Sequence, residues 1–155
     1  MNTGVISSRY ARALLLLTKE SGRGEEVFSQ ARALLKDPSK APKPLEPDLA
    51  RLVMLLRRNG RGEFLRFVLA DYIRLWCKDT GAHLVHLTMA APDPDLPPRI
   101  AALIGGKVFI DTEIDPTIEG GFTVILDDDV CLDASVRGQI EKIKRQFIER
   151  NSRLV

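Results

Sequence analysis

The residue types able to do chemistry are few here, and their spacing does not suit it. His83 and His86 are the only two histidines, and on a strand a separation of three puts them on opposite faces. They would not share a metal, and isolated surface or edge histidines are the plainer reading. Asp127, Asp128, Asp129 and Asp133 form an acidic knot able to attract a cation. The run lacks the glycine and the distant bidentate glutamate of a calcium-binding loop. A solvated hairpin turn followed by a helix cap explains it more simply. Gly105-Gly106 and Gly120-Gly121 lack the flanking glycines and the lysine of a phosphate cradle, so turns or bulges are expected. Cys77 and Cys131 match no metal or redox spacing, and two lone thiols suit a reducing compartment. No Ser/His/Asp or Cys/His set stands out. The sequence assigns no catalytic residue, no metal ligand and no cofactor.

The elements around these residues fall into two regimes. The first half has helical periodicity. One helix is expected over Ser7 to Ser21, with Tyr10, Ala13, Leu14 and Leu17 at helical spacing. A second runs from about Glu25 to Lys36, where Asp37-Pro38 stops it. The four prolines between Asp37 and Pro47 make a stiff connector. A third helix starts at Pro47 and ends at Asn59-Gly60, and a fourth spans about Gly62 to Thr80. From His83 the period becomes two. Strands are expected over Leu84 to Ala90 and along Val108 to Ile114, with a short helix over Asp95 to Ile104 between them. Phe122 to Leu126 and Val130 to Leu132 form a hairpin around Asp127-Asp128-Asp129. A closing helix from Ser135 to about Asn151 aligns Val136, Ile140, Ile143 and Phe147, with Asp133 or Ser135 as its cap. The fold class is therefore α plus α/β: a helical bundle over residues 1–81 and a small α/β domain over 82–155.

The chain has 155 residues, enough for one large or two small cores, and 45% of them are apolar. Its apolar runs, such as Ala13 to Leu17 and Leu52 to Leu56, are far short of the roughly 20 residues that span a bilayer. No secretion signal is read at the N-terminus. The net charge of +2 divides unevenly, +7 over residues 1–78 and −5 over 79–155. Such a split suggests two bodies with different neighbours. A basic half raises nucleic acid as a partner, but its arginines are scattered over several helices without interleaved aromatic platforms. Solvated helix faces account for them better. The first and third helices carry more apolar residues than one buried stripe needs. Leu14 to Leu17 are four consecutive leucines, and Leu52, Val53, Met54, Leu55 and Leu56 do the same on the third helix. Such helices are either simply central in the bundle or, the reading preferred here, pack an amphipathic helix from another chain on one of those surplus faces.

At this point the residues resemble a family. Ile114-Asp-Pro-Thr-Ile-Glu-Gly-Gly-Phe-Thr-Val, then Leu132-Asp-Ala-Ser-Val-Arg-Gly-Gln-Ile, is similar to the signature of F-type ATP synthase delta subunits, whose mitochondrial counterpart is the oligomycin sensitivity-conferring protein. Ile6-Ser-Ser-Arg-Tyr-Ala-Arg-Ala-Leu resembles the family's opening helix. Asn59-Gly-Arg61 followed by Phe64-Leu65 resembles the junction of its last two bundle helices. The family has six bundle helices, whereas Asp37 to Pro47 leaves room only for a connector where the middle two belong. Ala134 and Asp128 stand where the family usually has glycine.

The resemblance implies a non-catalytic stator subunit of the peripheral stalk, on the cytoplasmic face of a bacterial inner membrane, reaching the membrane only through the complex. Its bundle would receive the N-terminal helix of an alpha subunit between the first and next-to-last helices. Carried onto this chain, that groove is lined by some of Tyr10, Ala13, Leu14 and Leu17 with Leu52, Leu55 and Leu56. The C-terminal domain would hold the b subunits, with no single residue assigned to that contact. Gly120, Gly121, Asp133, Ser135 and Arg137 belong to the signature, the glycines as turns and Asp133 and Ser135 as caps. Two rivals come from other classes: a free-standing nucleic-acid-binding protein using the basic half, and a small enzyme centred on Gly120-Gly121 and the aspartates.

Overall fold

The computed structural model describes residues 3–39, 42–136, 138–143 and 145. The chain forms two compact units, Met1–Thr80 and Gly81–Val155.

The first unit is helical: α1 (Thr3–Ser21), α2 (Gly24–Lys36), α3 (Pro47–Arg58) and α4 (Leu65–Thr80), with a 3-10 turn over Gly62–Phe64 ahead of α4. α1 begins before Ser7 because Ser7 is not a cap. Its hydroxyl bonds back to the Gly4 carbonyl at 3.1 Å and reaches the Asp71 carboxylate of α4 at 2.6 Å. A serine satisfied in this way sits inside a helix without ending it. The core is drawn from one face of each helix, with Leu14, Phe28, Leu49, Leu56, Leu69 and Tyr72 almost wholly buried. Phe28 stacks on Trp76 with ring centroids 4.1 Å apart. Gly24 is required at the start of α2, since a Cβ there would approach Trp76 Nε1 to 2.9 Å. Burial pushes the Tyr72 phenol up to about 12. It remains protonated and donates to the Gly24 carbonyl at 3.3 Å. One buried carboxylate joins three elements. Asp48 accepts from Ser21 Oγ at 2.6 Å and faces Arg23 at 3.5 Å and Arg51 at 3.8 Å. The link from α2 to α3 is anchored by Gln30, which accepts from the Glu46 amide at 2.7 Å and donates to the Pro44 carbonyl at 3.4 Å.

The second unit is a four-stranded sheet in the order β2-β1-β3-β4. β1 is His83–Met89, β2 Val108–Ile114, β3 Phe122–Leu126 and β4 Val130–Asp133, with the helix α5 (Leu96–Ile104) connecting β1 to β2. β1 pairs parallel with β2 and antiparallel with β3. The parallel step needs a crossover, which α5 supplies. Val85, Leu87 and Met89 alternate onto one face. There they form a core with Ile100 and Val124, flanked by Leu96, Ile104, Val108, Ile110, Phe122 and Leu126. After β4 the chain is helical through 138–143. The rest of the expected closing helix, Phe147 included, lies outside the described residues. Fold class and element order thus follow the expectation, a helical N-terminus before an α/β region.

Candidate partner-binding faces

The signature run is a backbone knot. Asp115 accepts from the Thr117 amide at 2.9 Å and hydroxyl at 2.6 Å. These two bonds hold its carboxyl below the usual carboxylate range. Glu119, Gly120 and Gly121 follow with φ of +56°, +112° and +81°, three left-handed positions in succession. A Cβ on Gly121 would overlap the Ala134 carbonyl and Ser135 Cα. Only glycine fits there. The turn is tied to β1 by the Ala90 amide donating to the Gly121 carbonyl, and to the closing helix by the Val136 amide donating to the Gly120 carbonyl.

Capping completes the knot. The Ser135 hydroxyl accepts from the Gly138 amide at 3.0 Å, the geometry of an N-cap to its third helical residue. Asp133 in turn accepts from the Ser135 amide and hydroxyl, at 2.9 and 2.6 Å. Those bonds hold the Asp133 carboxyl below its ordinary value. Ser135 is therefore the cap, and Asp133 positions it. A Cβ on Gly138 would run into the Asp133 carboxylate, so Gly138 also belongs to this arrangement. Arg137 lies outside the described residues.

The histidines sit differently from the expectation. β1 is an inner strand, not an edge, and both rings meet the hairpin turn. His83 Nδ1 lies 2.7 Å from Asp127 Oδ2 and His86 Nε2 3.9 Å from Asp128 Oδ1. Asp127 also accepts from the Leu84 amide at 2.8 Å. Burial raises the Asp127 carboxyl, but the hydrogen bonds from His83 and Leu84 outweigh it and hold the pKa below the usual value. Both Asp127 and Asp128 have positive φ, +52° and +61°. In this three-residue loop the Asp129 amide donates to the Leu126 carbonyl, and the two left-handed positions between them match the twist of a hairpin. The sequence signal for this contact is the turn itself, which closes the end of β3 against the start of β1. Among the described residues, no group of three or more metal-ligating side chains converges.

The helical unit offers the second face. α1 and α3 run antiparallel and are latched at both ends. Ser21 bonds Asp48 at one end, while Asn59 and Arg61 donate to the Tyr10 hydroxyl at 3.3 and 3.1 Å at the other. The bonds from Asn59 and Arg61 lower the Tyr10 pKa. Between the latches, Leu14, Leu52 and Leu56 are only 2%, 6% and 1% exposed and form the floor, shared with the unit's own core. Tyr10 and Leu17 are half-buried, and Ala13 and Leu55 open to solvent. The surplus apolar residues lie outermost, Leu16 63% exposed and Met54 71%. No helix among the described residues is long and apolar enough to cross a membrane.

The α/β unit has an apolar surface of its own. Val136, Ile140 and Ile143, expected on one stripe of the closing helix, are 44%, 45% and 52% exposed. They share one helix face by spacing but do not enter the described core. Val130 and Leu132 on the edge strand β4 are also exposed. The sequence names the stripe but does not say whether this chain covers it.

Three comparisons agree with this architecture. Residues 29–147 match the family model described as the ATP synthase delta (OSCP) subunit. The chain is 33% identical to the ATP synthase subunit delta of Phocaeicola vulgatus, with both chains covered in full. It is 30% identical to that of Myxococcus xanthus, covering 94% of this chain and 97% of the relative. The first alignment spans 186 positions against the 155 residues here, a difference of 31. A chain of the Toxoplasma gondii mitochondrial ATP synthase hexamer, solved by cryo-EM, has the same fold: TM-score 0.68 over 92% of this chain and 97% of that one, at 18% identity. A glycine knot that seats a capped helix, an antiparallel helix pair with an open apolar seam, and full-length relatives of one kind lead to a single assignment: the chain belongs to the ATP synthase delta (OSCP) subunit family.

Proposed function

We propose that this protein is a non-catalytic stator subunit of an F-type ATP synthase, tying the catalytic head to the peripheral stalk so that the head resists rotor torque. The observation that carries this reading is the α1–α3 pair, latched by Ser21–Asp48 and Tyr10–Asn59 and apolar between the latches. A seam of that form accepts an amphipathic helix laid along it, and the partner is the N-terminal helix of an alpha subunit. The surface of Val136, Ile140 and Ile143 serves the b subunits. Membrane association is indirect, through the complex on the cytoplasmic face of the inner membrane. What supports the wider assignment is family membership together with two separate apolar surfaces on two compact units.

A stator must hold without turning over, so its affinity comes from apolar anchors while charge sets orientation and encounter rate. Leu55, 46% exposed, tests the groove better than Leu14, whose 2% exposure ties it to the fold. Leu55→Asp should abolish calorimetric binding of an alpha N-terminal helix peptide while the circular dichroism spectrum is unchanged. Unchanged binding would move the alpha contact elsewhere. Co-purification with tagged alpha and b subunits tests the assignment as a whole, and failure to recover either partner counts against it.

A further inference from the structure

The rims of the α1–α3 groove differ from end to end in charge. At the Ser21–Asp48 end, acid and base are mixed. Glu20 stands on α1, and Arg51 and Arg23 are engaged with Asp48. At the Tyr10–Asn59 end the groove is basic on both sides. Arg58 follows Leu55 by three residues and Arg9 precedes Ala13 by four, so each shares a helix face with an exposed groove residue. Both are exposed, and among the described residues neither has an acidic partner. Arg61 adds a third guanidinium where its Nη1 reaches the Tyr10 hydroxyl. The nearby Glu63 lines a hollow with Gly4, Ser7, Phe64 and Phe67, toward α4 rather than α3. Three guanidinium groups at one end of an apolar seam make an oriented field along it.

We infer that the groove reads direction as well as shape: it takes an amphipathic helix whose acidic side chains cluster at one end, and that end lies over Arg9, Arg58 and Arg61. This rests on the helix-docking reading above and adds polarity to it. The apolar seam alone is nearly symmetric, because its latches and leucines recur from one end to the other. Charge is what distinguishes the two ways of laying a helix into it. A helix docked in reverse would hold its acids beside Glu20 and leave three arginines unanswered. Full side-chain charges exceed the roughly half-charge of a helix terminus, so they set the direction over the partner's own dipole.

The test uses the full chain and two helical peptides with the same apolar stripe, one carrying glutamates in its last two turns and the other lysines. At low salt the acid-ended peptide should bind roughly tenfold more tightly, the sum expected of a few exposed pairs. A spin label at its acidic end should broaden the amide signals of Tyr10 and Asn59 and spare Ser21. The double variant Arg9→Glu with Arg58→Glu, both at exposed positions, should reverse the preference while the circular dichroism spectrum stays the same. Equal binding of both peptides, with both lost in Leu55→Asp, would overturn the polarity and leave the groove intact. Binding of neither peptide would remove the groove reading itself. Displacement of the acid-ended peptide by single-stranded DNA at equal charge would also overturn the polarity, as general attraction to polyanions.

Discussion

In the helical unit, side chains carry the structure: Phe28 lies on Trp76, Ser7 reaches Asp71, and Ser21, Arg23 and Arg51 converge on Asp48. In the α/β unit the comparable places are made by backbone. Gly121 passes under the Ala134 carbonyl, Asp127 and Asp128 adopt left-handed geometry, and Asp115 and Asp133 accept from amides two residues on. The same polar residue types therefore do opposite jobs. In one unit they cross-link helices far apart in sequence, and in the other, the bonds of Asp127 to His83 and Leu84 apart, they bend the chain locally. The helical unit is vulnerable to lost volume and the α/β unit to added volume.

Three substitutions test that contrast, the largest effect first. Phe28→Ala should cost about 3–5 kcal/mol in denaturant unfolding. Its effect on amide exchange should be concentrated in α1 to α4. Equal loss of protection in β1 to β4 would mean that the units do not unfold separately. Gly121→Ala should cost about 2 kcal/mol, from a left-handed φ combined with overlap on Ala134 and Ser135. The expected signature is loss of sheet protection with the helical signal kept. A melting curve like the parent's would show that the knot has room. Asp127→Asn should have the smallest effect, at most about 1 kcal/mol, since both His83 and Asp127 are substantially exposed. Because the folded carboxyl lies below its unfolded value, its contribution is present above about pH 4 and is lost as pH falls through the folded value. The gap between parent and variant should therefore narrow on acidification. A gap that widens below about pH 4 would contradict the hydrogen-bonded geometry of Asp127.

Legibility in the sequence follows the same division. Helix and strand ends are readable because Asp37-Pro38, Pro47 and Asn59-Gly60 act on their own neighbours. Turn chemistry is readable for the same reason, as with Gly120-Gly121 and the capping by Asp133 and Ser135. Contacts across the fold are not. Nothing local in Ser7 announces Asp71, 64 residues away, so local patterning starts α1 too late. His83 and His86 look isolated because their partners lie across two strand connections. In the groove, periodicity names the apolar positions but cannot sort floor from rim. Leu14 and Leu16 belong to one run of leucines, yet one is 2% exposed and the other 63%. Periodicity also cannot reveal that Val136, Ile140 and Ile143 face outward, since a stripe looks alike whether its cover is this chain or another.

The Gln30 anchor has a consequence for how such chains change length. Because Gln30 grips the Pro44 carbonyl and the Glu46 amide, the approach to α3 is fixed from α2 rather than by the path the chain takes between them. Residues upstream of Pro44 are then free to vary without altering where α3 starts. Doubling a flexible loop costs only about 0.6 kcal/mol in closure entropy. The stretch after Lys36 is thus a natural insertion slot, where a lineage can add or delete whole elements while the α1–α3 seam keeps its shape. The alignment with the Phocaeicola vulgatus relative spans 186 positions against the 155 residues here, so 31 of its positions hold no residue of this chain, and a slot of this kind tolerates such gaps.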